Sequence, residues 1–316
     1  MTLNELYPSW RAQKARQVKE STLSAYSLTW LNKIKPAFGD MDVSTINKNA
    51  VRDFVYQQLD SGLSKKTVQD ILIVLKMLIR FASEEYEISV HSTNWNIKFP
   101  TQNCGEVSKL ERYNKGEVSK IMSWIVDNPS PKSLGVAIAI NTGMRIGEIC
   151  ALLWSEIDLA NRKIRVCRTI ERIYNAADDI NSKGKTELII STPKTSSSQR
   201  EIPINTALYK LLKKFEPSIK PDYYVVSSKR KPLEPRVFRC NTKTLLKQSG
   251  IENVKKFHAL RHTFASLMIE GGCDVKTVST ILGHSDVATT MNIYVHPSDS
   301  AKMNSVNKIM GKLWQV

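Results

Sequence analysis

At 316 residues the chain is long enough for about two domains. With 41% hydrophobic and 24% charged residues it can bury ordinary cores, which argues against wholesale disorder, and no apolar run approaches the roughly 20 residues of a bilayer-crossing helix. The 46 Lys and Arg outnumber 30 Asp and Glu, and the resulting net charge of +16, which points to a polyanionic partner, divides into roughly +3 through Lys98 and roughly +13 beyond it.

The first hundred residues read as helices. Thr2 and Glu5 have capping-box spacing, and Leu3, Leu6, Tyr7 and Trp10 then share one face. A second periodic stretch carries Leu23, Tyr26 and Trp30 and ends near Pro36 and Gly39. A third follows Asn47, with Val51, Phe54, Val55 and Leu59 on a face, and stops at Gly62. Ser64 opens a fourth, through Val68, Ile71, Leu72, Leu75, Ile79 and Ala82. Four amphipathic helices predict a small bundle. From about Ser89 to Tyr113 the periodicity fails, and Asn, Ser, Thr, Pro and Gly accumulate as in a linker.

Helical pattern resumes over Lys115–Val126, Pro131–Asn141 and Gly147–Trp154. The period then drops to two over Lys163–Ile170, after the turn-like Ala160-Asn161-Arg162. Two more strand candidates, Glu187–Ser191 and Arg200–Ile204, flank a polar run from Pro193 to Gln199, which suggests a hairpin turn. Helices dominate thereafter. The predicted fold class is mainly α with a small antiparallel β-sheet (α+β). Its divisions are a helical domain at 1–98, a linker at 99–113, a mixed domain at 114–300 and a tail helix at 301–316. In the tail Val306, Ile309, Met310, Leu313 and Trp314 share a face.

Three segments combine cations, imidazoles and a tyrosine. They are Thr142-Gly-Met-Arg145-Ile-Gly-Glu148, His258-Ala-Leu-Arg261-His262, and Leu282-Gly-His284 followed by Tyr294. On a helix His258 and Arg261 share a face and can address one phosphate. Arg145, at a Gly-flanked helix start, adds a second guanidinium. Two such forks can hold the non-bridging oxygens of a phosphodiester and stabilise a five-coordinate transition state, which makes a phosphoryl-transfer site that needs no metal. The attacking group would be the Tyr294 phenol, activated by surrounding cations and a base. Lys194, in the polar run, is placed to protonate the leaving sugar oxygen.

In this combination the sequence resembles the tyrosine recombinases, the phage and conjugative-element integrases and their Xer-type relatives. The resemblance covers nearly the whole chain, and the motifs that carry it are TGMRIGEI, TPKTSSSQREIPI, HALRHTFAS, LGHSD and NIYVH. The resemblance implies Arg145 and Arg261 as phosphate clamp, His258 as proton acceptor from the tyrosine and Lys194 as general acid. It further implies that His284 hydrogen-bonds the scissile phosphate and that Tyr294 is the nucleophile. The implied fold is a helical core-binding domain joined to a mixed catalytic domain in a C-shaped clamp around duplex DNA. The implied activity is site-specific integration or excision of a mobile element through a 3′-phosphotyrosine, with no cofactor.

The implied partners are duplex DNA at attachment or core sites and a homotetramer on that DNA, formed from a monomer or weak oligomer. A directionality factor or a DNA-bending host protein would be accessory, and the tail helix would dock in a neighbouring subunit. Many members carry a further small N-terminal domain for distant arm sites. Here the helical pattern starts almost at Met1, as fits either a simple recombinase or a shortened chain. MTLNELYPSW lacks the basic head and apolar core of a signal peptide, so a cytoplasmic, nucleoid-associated location with no membrane partner is expected.

Glu148 reads as a partner that orients Arg145, and His262 as a packing or hydrogen-bonding residue. Lys65, Lys66 and Thr67 at a helix start, and Lys229, Arg230 and Lys231 in a loop, are candidate DNA-backbone contacts. His258 and His262, four apart, have the spacing of a metal pair with His284 as a third ligand, but no H-E-x-x-H motif accompanies them and Arg261 would repel a cation, so no metal is expected. Five cysteines without a C-x-x-C pair suggest neither a disulfide framework nor a zinc site. Rival readings are a type IB topoisomerase-like nicking and closing enzyme, and a DNA-binding module with idle catalytic residues.

Overall fold

In the computed structural model, helix α1 (Leu3–Gln17) starts where the sequence supplies its own cap. The Glu5 N–H donates to the Thr2 hydroxyl at 3.3 Å and the Thr2 N–H to the Glu5 carboxylate at 2.8 Å. The structure describes residues 1–100, 110–174, 186–192, 199–216 and 220–294, with 303, 306 and 307. It divides into two units, Met1–Val107 with Arg172–Ile189, and Ser108–Glu171 with Ile190–Val316.

In the first unit the second helical stretch is three pieces: α2 (Glu20–Thr29), a π-helical turn at Trp30–Ile34, and α3 (Lys35–Phe38). Pro36 comes just after the π-helical turn, and the chain stays helical through it to Phe38. Asn47 caps α4 (Lys48–Asp60) by accepting from the N–H groups of Asn49 and Ala50, and Ser64 caps α5 (Lys65–Tyr86) by accepting from Thr67. Trp30 stacks on Tyr7 with ring centres 4.5 Å apart, and Leu6, Trp10, Val68, Leu75 and Leu78 close the core around them. The stretch after α5 has no helical period yet stays on this core: Trp95 is 6% exposed, with Ile88, Val90, Ile97 and Phe99 packed beside it.

The second unit is built on α6 (Lys115–Asp127), α7 (Pro131–Thr142) and α8 (Ile146–Ala151). Helix α7 has no polar face over LGVAIAI, and it is buried from Ser133 to Ile140 because α6, α8 and later helices surround it. Strands β1 (Ile157–Asp158), β2 (Lys163–Val166) and, later in the chain, β5 (Arg200–Pro203) belong to this unit, whereas β3 (Thr169–Tyr174) and β4 (Thr186–Ser191) run across the division, with Arg172–Tyr174 and Thr186–Ile189 in the first unit. Helices α9 (Thr206–Lys213), α10 (Pro235–Gln248), α11 (His258–Glu270), α12 (Val275–Leu282) and α13 (Val287–Tyr294) complete the described part.

The alternating strand predicted over Lys163–Ile170 is two strands in two sheets, broken at Cys167 and Arg168, where Arg168 turns to pair with the buried Glu156 at 2.9 Å. The two strands expected to flank a hairpin turn do not pair with each other. Instead β5 pairs antiparallel with β2, Ile164 opposite Ile202, in the order β1-β2-β5, while β4 pairs with β3. Burial explains that register: Ile164, Val166 and Ile202 turn inwards while Lys163, Arg165 and Glu201 face solvent. The fold is thus mainly α with small antiparallel sheets. No helix among the described residues is long and apolar enough to cross a membrane.

Candidate active site

Helix α7 ends at Gly143, whose φ of +65° suits glycine and little else. A Cβ there would lie 2.6 Å from Phe264 and 2.7 Å from Leu282. Its absence lets the end of α7 press onto α11 and α12, and this places Arg145 two residues later at the start of α8. Glu148, one turn into α8, accepts from the Arg145 backbone N–H at 2.8 Å and from the Arg145 guanidinium at 3.0 Å. The sequence motif thus holds its arginine from both ends.

Three guanidinium groups converge on three successive carbonyls at the end of α12. Arg200 donates to Ile281 at 2.6 Å, Arg261 to Leu282 at 2.9 Å and Arg145 to Gly283 at 3.3 Å. These are carbonyls that a helix terminus leaves without intrahelical partners, at the negative end of the helix dipole, so cations are favoured there. Gly283, at φ +68°, ends the helix and turns His284 into the group. Arg261 also donates to the Gly143 carbonyl at 2.8 Å, so the same side chain fixes the ends of α7 and α12.

Arg261 is 2% exposed, and burial followed by the charge of Arg145 lowers it to about 9, which still leaves it protonated at neutral pH. Burial alone would raise Glu148, but the fork of Arg200 and the charge of Arg145 hold its carboxyl below the ordinary range. Arg145 remains partly open to solvent and has guanidinium N–H groups uncommitted in these contacts.

His284 meets Arg261 through Nε2 at 2.7 Å and Thr290 through Nδ1 at 2.8 Å. A guanidinium can only donate, so Nε2 accepts and Nδ1 carries the proton that goes to Thr290. His258 and His284 are each pushed down to about 4, mainly by burial and then by neighbouring cations. Both are therefore neutral at pH 7. His258 sits one turn before His262, their rings edge to face at 4.5 Å. Tyr294, at the end of α13, packs beside Phe264 and Leu282. Among the described residues its hydrogen-bond partner is His262 Nδ1, at 2.8 Å; His258, which the family resemblance implied for that place, is not one. Burial raises the phenol's pKa although Arg261 and Arg145 oppose the rise.

The structure thus brings Arg145, Glu148, His258, Arg261, His262, His284 and Tyr294 into one region. Lys194 lies outside the described residues, as does most of the tail helix. Sequence reading missed Arg200, which follows the polar run and reads there as an ordinary strand residue; its only sequence signal is a cation in a strand next to the motif lysine. Among the described residues no group of three His, Cys, Asp or Glu could hold a metal ion. Of the candidate DNA contacts, Lys65, Lys66 and Thr67 are exposed, but Lys66 pairs with Asp70 at 2.6 Å and the Thr67 N–H is taken by Ser64. Lys229, Arg230 and Lys231 are exposed in a tight turn, with Arg230 bonded to Asp222 at 2.6 Å.

Known proteins share this arrangement of sequence. The phage integrase family matches residues 111–301, and the phage integrase N-terminal SAM-like domain matches residues 2–58. A XerC-like tyrosine recombinase of Caldanaerobacter subterraneus subsp. tengcongensis is 28% identical over 98% of this chain and 83% of its own length. The ICEBs1 integrase of Bacillus subtilis is 26% identical over 88% of this chain and 75% of its own. Among solved structures, the Tn1549 transposon integrase in complex with transposon right end DNA superposes with a TM-score of 0.77 at 20% identity, covering 98% of this chain and all of the other. A lambda integrase dimer bound to a core site gives 0.66 at 20% identity over 93% and 95%.

Proposed function

The chain belongs to the phage integrase family of tyrosine recombinases, enzymes that cleave and rejoin DNA, and we propose on that premise that Tyr294 is the nucleophile of a site-specific recombinase of mobile elements. The observation that carries the reading is the convergence of Arg145, Arg261 and His284 around the end of α12 with Tyr294 on the adjoining helix. Arg145 and Arg261 clamp the non-bridging oxygens of the scissile phosphate, with His258 and His284 as neutral hydrogen-bonding groups beside it. Glu148 keeps Arg145 in place. Positive charge here exceeds what Glu148 neutralises, so an anion entering the site is stabilised, and more so as its charge grows in the transition state.

Attack by the phenolate oxygen yields a phosphotyrosine ester that conserves the energy of the phosphodiester, so rejoining needs no ATP. Lys194 supplies the proton to the leaving sugar oxygen, a role that rests on its motif. Duplex DNA at a core site is the substrate, and four subunits act on two such sites through a Holliday junction. This assembly is supported by a lambda integrase tetramer solved bound to a Holliday junction, which this fold resembles with a TM-score of 0.62. Lys65, Thr67, Lys229 and Lys231 serve the DNA backbone, and the tail helix from 301 docks on a neighbouring subunit.

The test is Tyr294→Phe on a suicide substrate carrying the element's junction. The variant should bind DNA nearly as the unaltered protein does and form no covalent adduct; an adduct that persists refutes the assignment. Relaxation of any supercoiled plasmid without recombinant products would favour a topoisomerase-like enzyme instead.

A further inference from the structure

Two imidazoles lie one turn apart on α11, and only one touches the phenol. We infer that His262, rather than His258, takes the proton from Tyr294 during strand cleavage. The inference rests on Tyr294 as nucleophile and adds the identity of its base.

The geometry is direct: His262 Nδ1 stands 2.8 Å from the Tyr294 oxygen, a distance at which a proton passes without rearrangement. The surroundings favour the same residue. His258 feels both Arg261 and Arg145, so a proton placed on it meets two guanidinium charges. His262 has Arg261 against it but Glu111 on the favourable side. The titratable groups that face it are His258 and Arg261 on its own helix, Tyr294 from α13 and Glu111 from the segment before α6. Burial and Arg261 keep it below its ordinary value, hence neutral at pH 7 with a lone pair for the phenol.

The step balances without any other reactant. The Tyr294 O–H bond breaks and its proton goes to His262 Nδ1, while the oxygen's electron pair forms the bond to the scissile phosphorus. The bond from phosphorus to the leaving sugar oxygen breaks, and that oxygen takes a proton from Lys194. In rejoining, the sugar hydroxyl returns its proton to Lys194 and His262 returns its own to the departing phenolate. The microscopic path is the same in both directions. His258 keeps its place among the arginines.

The test is the rate of single-turnover adduct formation on a suicide substrate from pH 5 to 9, with DNA binding measured in parallel. A base must be unprotonated, so the unaltered enzyme should lose rate on the acid side. His262→Asn puts an amide near the place of Nδ1 and cannot accept a proton. It should slow cleavage by about 100-fold or more, abolish the acid limb, and leave DNA affinity within about two-fold. His258→Asn should retain the acid limb. Far-UV circular dichroism, and His262→Gln as a second variant, separate loss of the base from loss of the fold. An acid limb that survives in both folded His262 variants, or that vanishes in His258→Asn, overturns the assignment. An adduct formed by Tyr294→Phe would instead remove the nucleophile on which it stands.

Discussion

Arg200 and Glu148 face each other fork to fork, at 3.1 and 3.0 Å, with side chains only 4% and 3% exposed. Arg200 comes from β5 and Glu148 from α8, and the third arm of the guanidinium reaches the Ile281 carbonyl at 2.6 Å. One planar cation therefore ties a strand and two helix ends together. Glu148 divides its two oxygens between this fork and Arg145, so a change that moves Arg200 is passed on to Arg145.

Removing Arg200 leaves the buried Glu148 carboxylate with Arg145 but without its fork, so the loss should approach the ~3–5 kcal/mol of a broken buried pair. Arg200→Ala should thus lower the urea midpoint substantially and cut adduct formation. Arg200→Lys keeps the charge but cannot reproduce the three-armed contact. It should retain more stability than Arg200→Ala while remaining slow in cleavage. Glu148→Gln should release Arg145 and also lower the urea midpoint, because the amide oxygen keeps an acceptor but the buried Arg200 loses the carboxylate that balances its charge. Cleavage by Arg200→Lys at the rate of the unaltered enzyme would contradict the coupling.

Gly143→Ala combines two penalties. Its φ of +65° disfavours any Cβ, and the added methyl would lie 2.6 Å from Phe264 and 2.7 Å from Leu282. The left-handed conformation costs about 1–2 kcal/mol and the overpacking typically about 1–3 kcal/mol more. The variant should be destabilised by at least about 2 kcal/mol in urea titration. Because Arg261 bonds the Gly143 carbonyl, its cleavage should also fall by more than the unfolded fraction explains.

Much of this site is legible along the sequence, where spacing within one helix decides the contact. Thr2 with Glu5, Asn47 and Ser64 announce helix starts, and Arg145 with Glu148 announces an arginine held by its own helix. Contacts between elements are not legible in this way. His262 and His258 look alike on α11, and only the approach of α13 puts Tyr294 against one of them. Arg200 looks like any cation in a strand until β5 pairs with β2 rather than β4 and carries it behind α8. Alternation read correctly through Lys163–Ile170, yet a two-residue period cannot show that the strand leaves one sheet for another at Cys167.

Charge stabilisation by guanidinium groups makes a specific claim about metals. Arg145 and Arg261 both donate to carbonyls at the end of α12, and on the proposed reading the two guanidinium groups address the phosphate themselves. Cleavage of a suicide substrate should proceed at an unchanged rate in excess EDTA. Loss of cleavage on chelation, restored by magnesium or zinc, would show that the arginines do not suffice.

The depressed histidines link this site to pH in a calculable direction. His258 and His284 lie at about 4 in the folded chain against 6.5 when free, so between those values the unfolded chain binds more protons. Their contribution favours folding fully above about pH 6.5 and is lost as pH falls towards 4. Protonation of His284 also removes the lone pair that accepts from Arg261. A scissile phosphate weakens the positive local field, since its negative charge raises both histidines and makes protons bind with DNA. Affinity for the core site should therefore increase as pH falls through that window, by more than the salt-dependent background of the basic surface. The comparison that isolates the effect is His258→Asn with His284→Asn, measured for dissociation constant against pH at fixed ionic strength. The double variant should show a flatter profile, and an identical slope in the two proteins would mean that neither ring titrates with the phosphate.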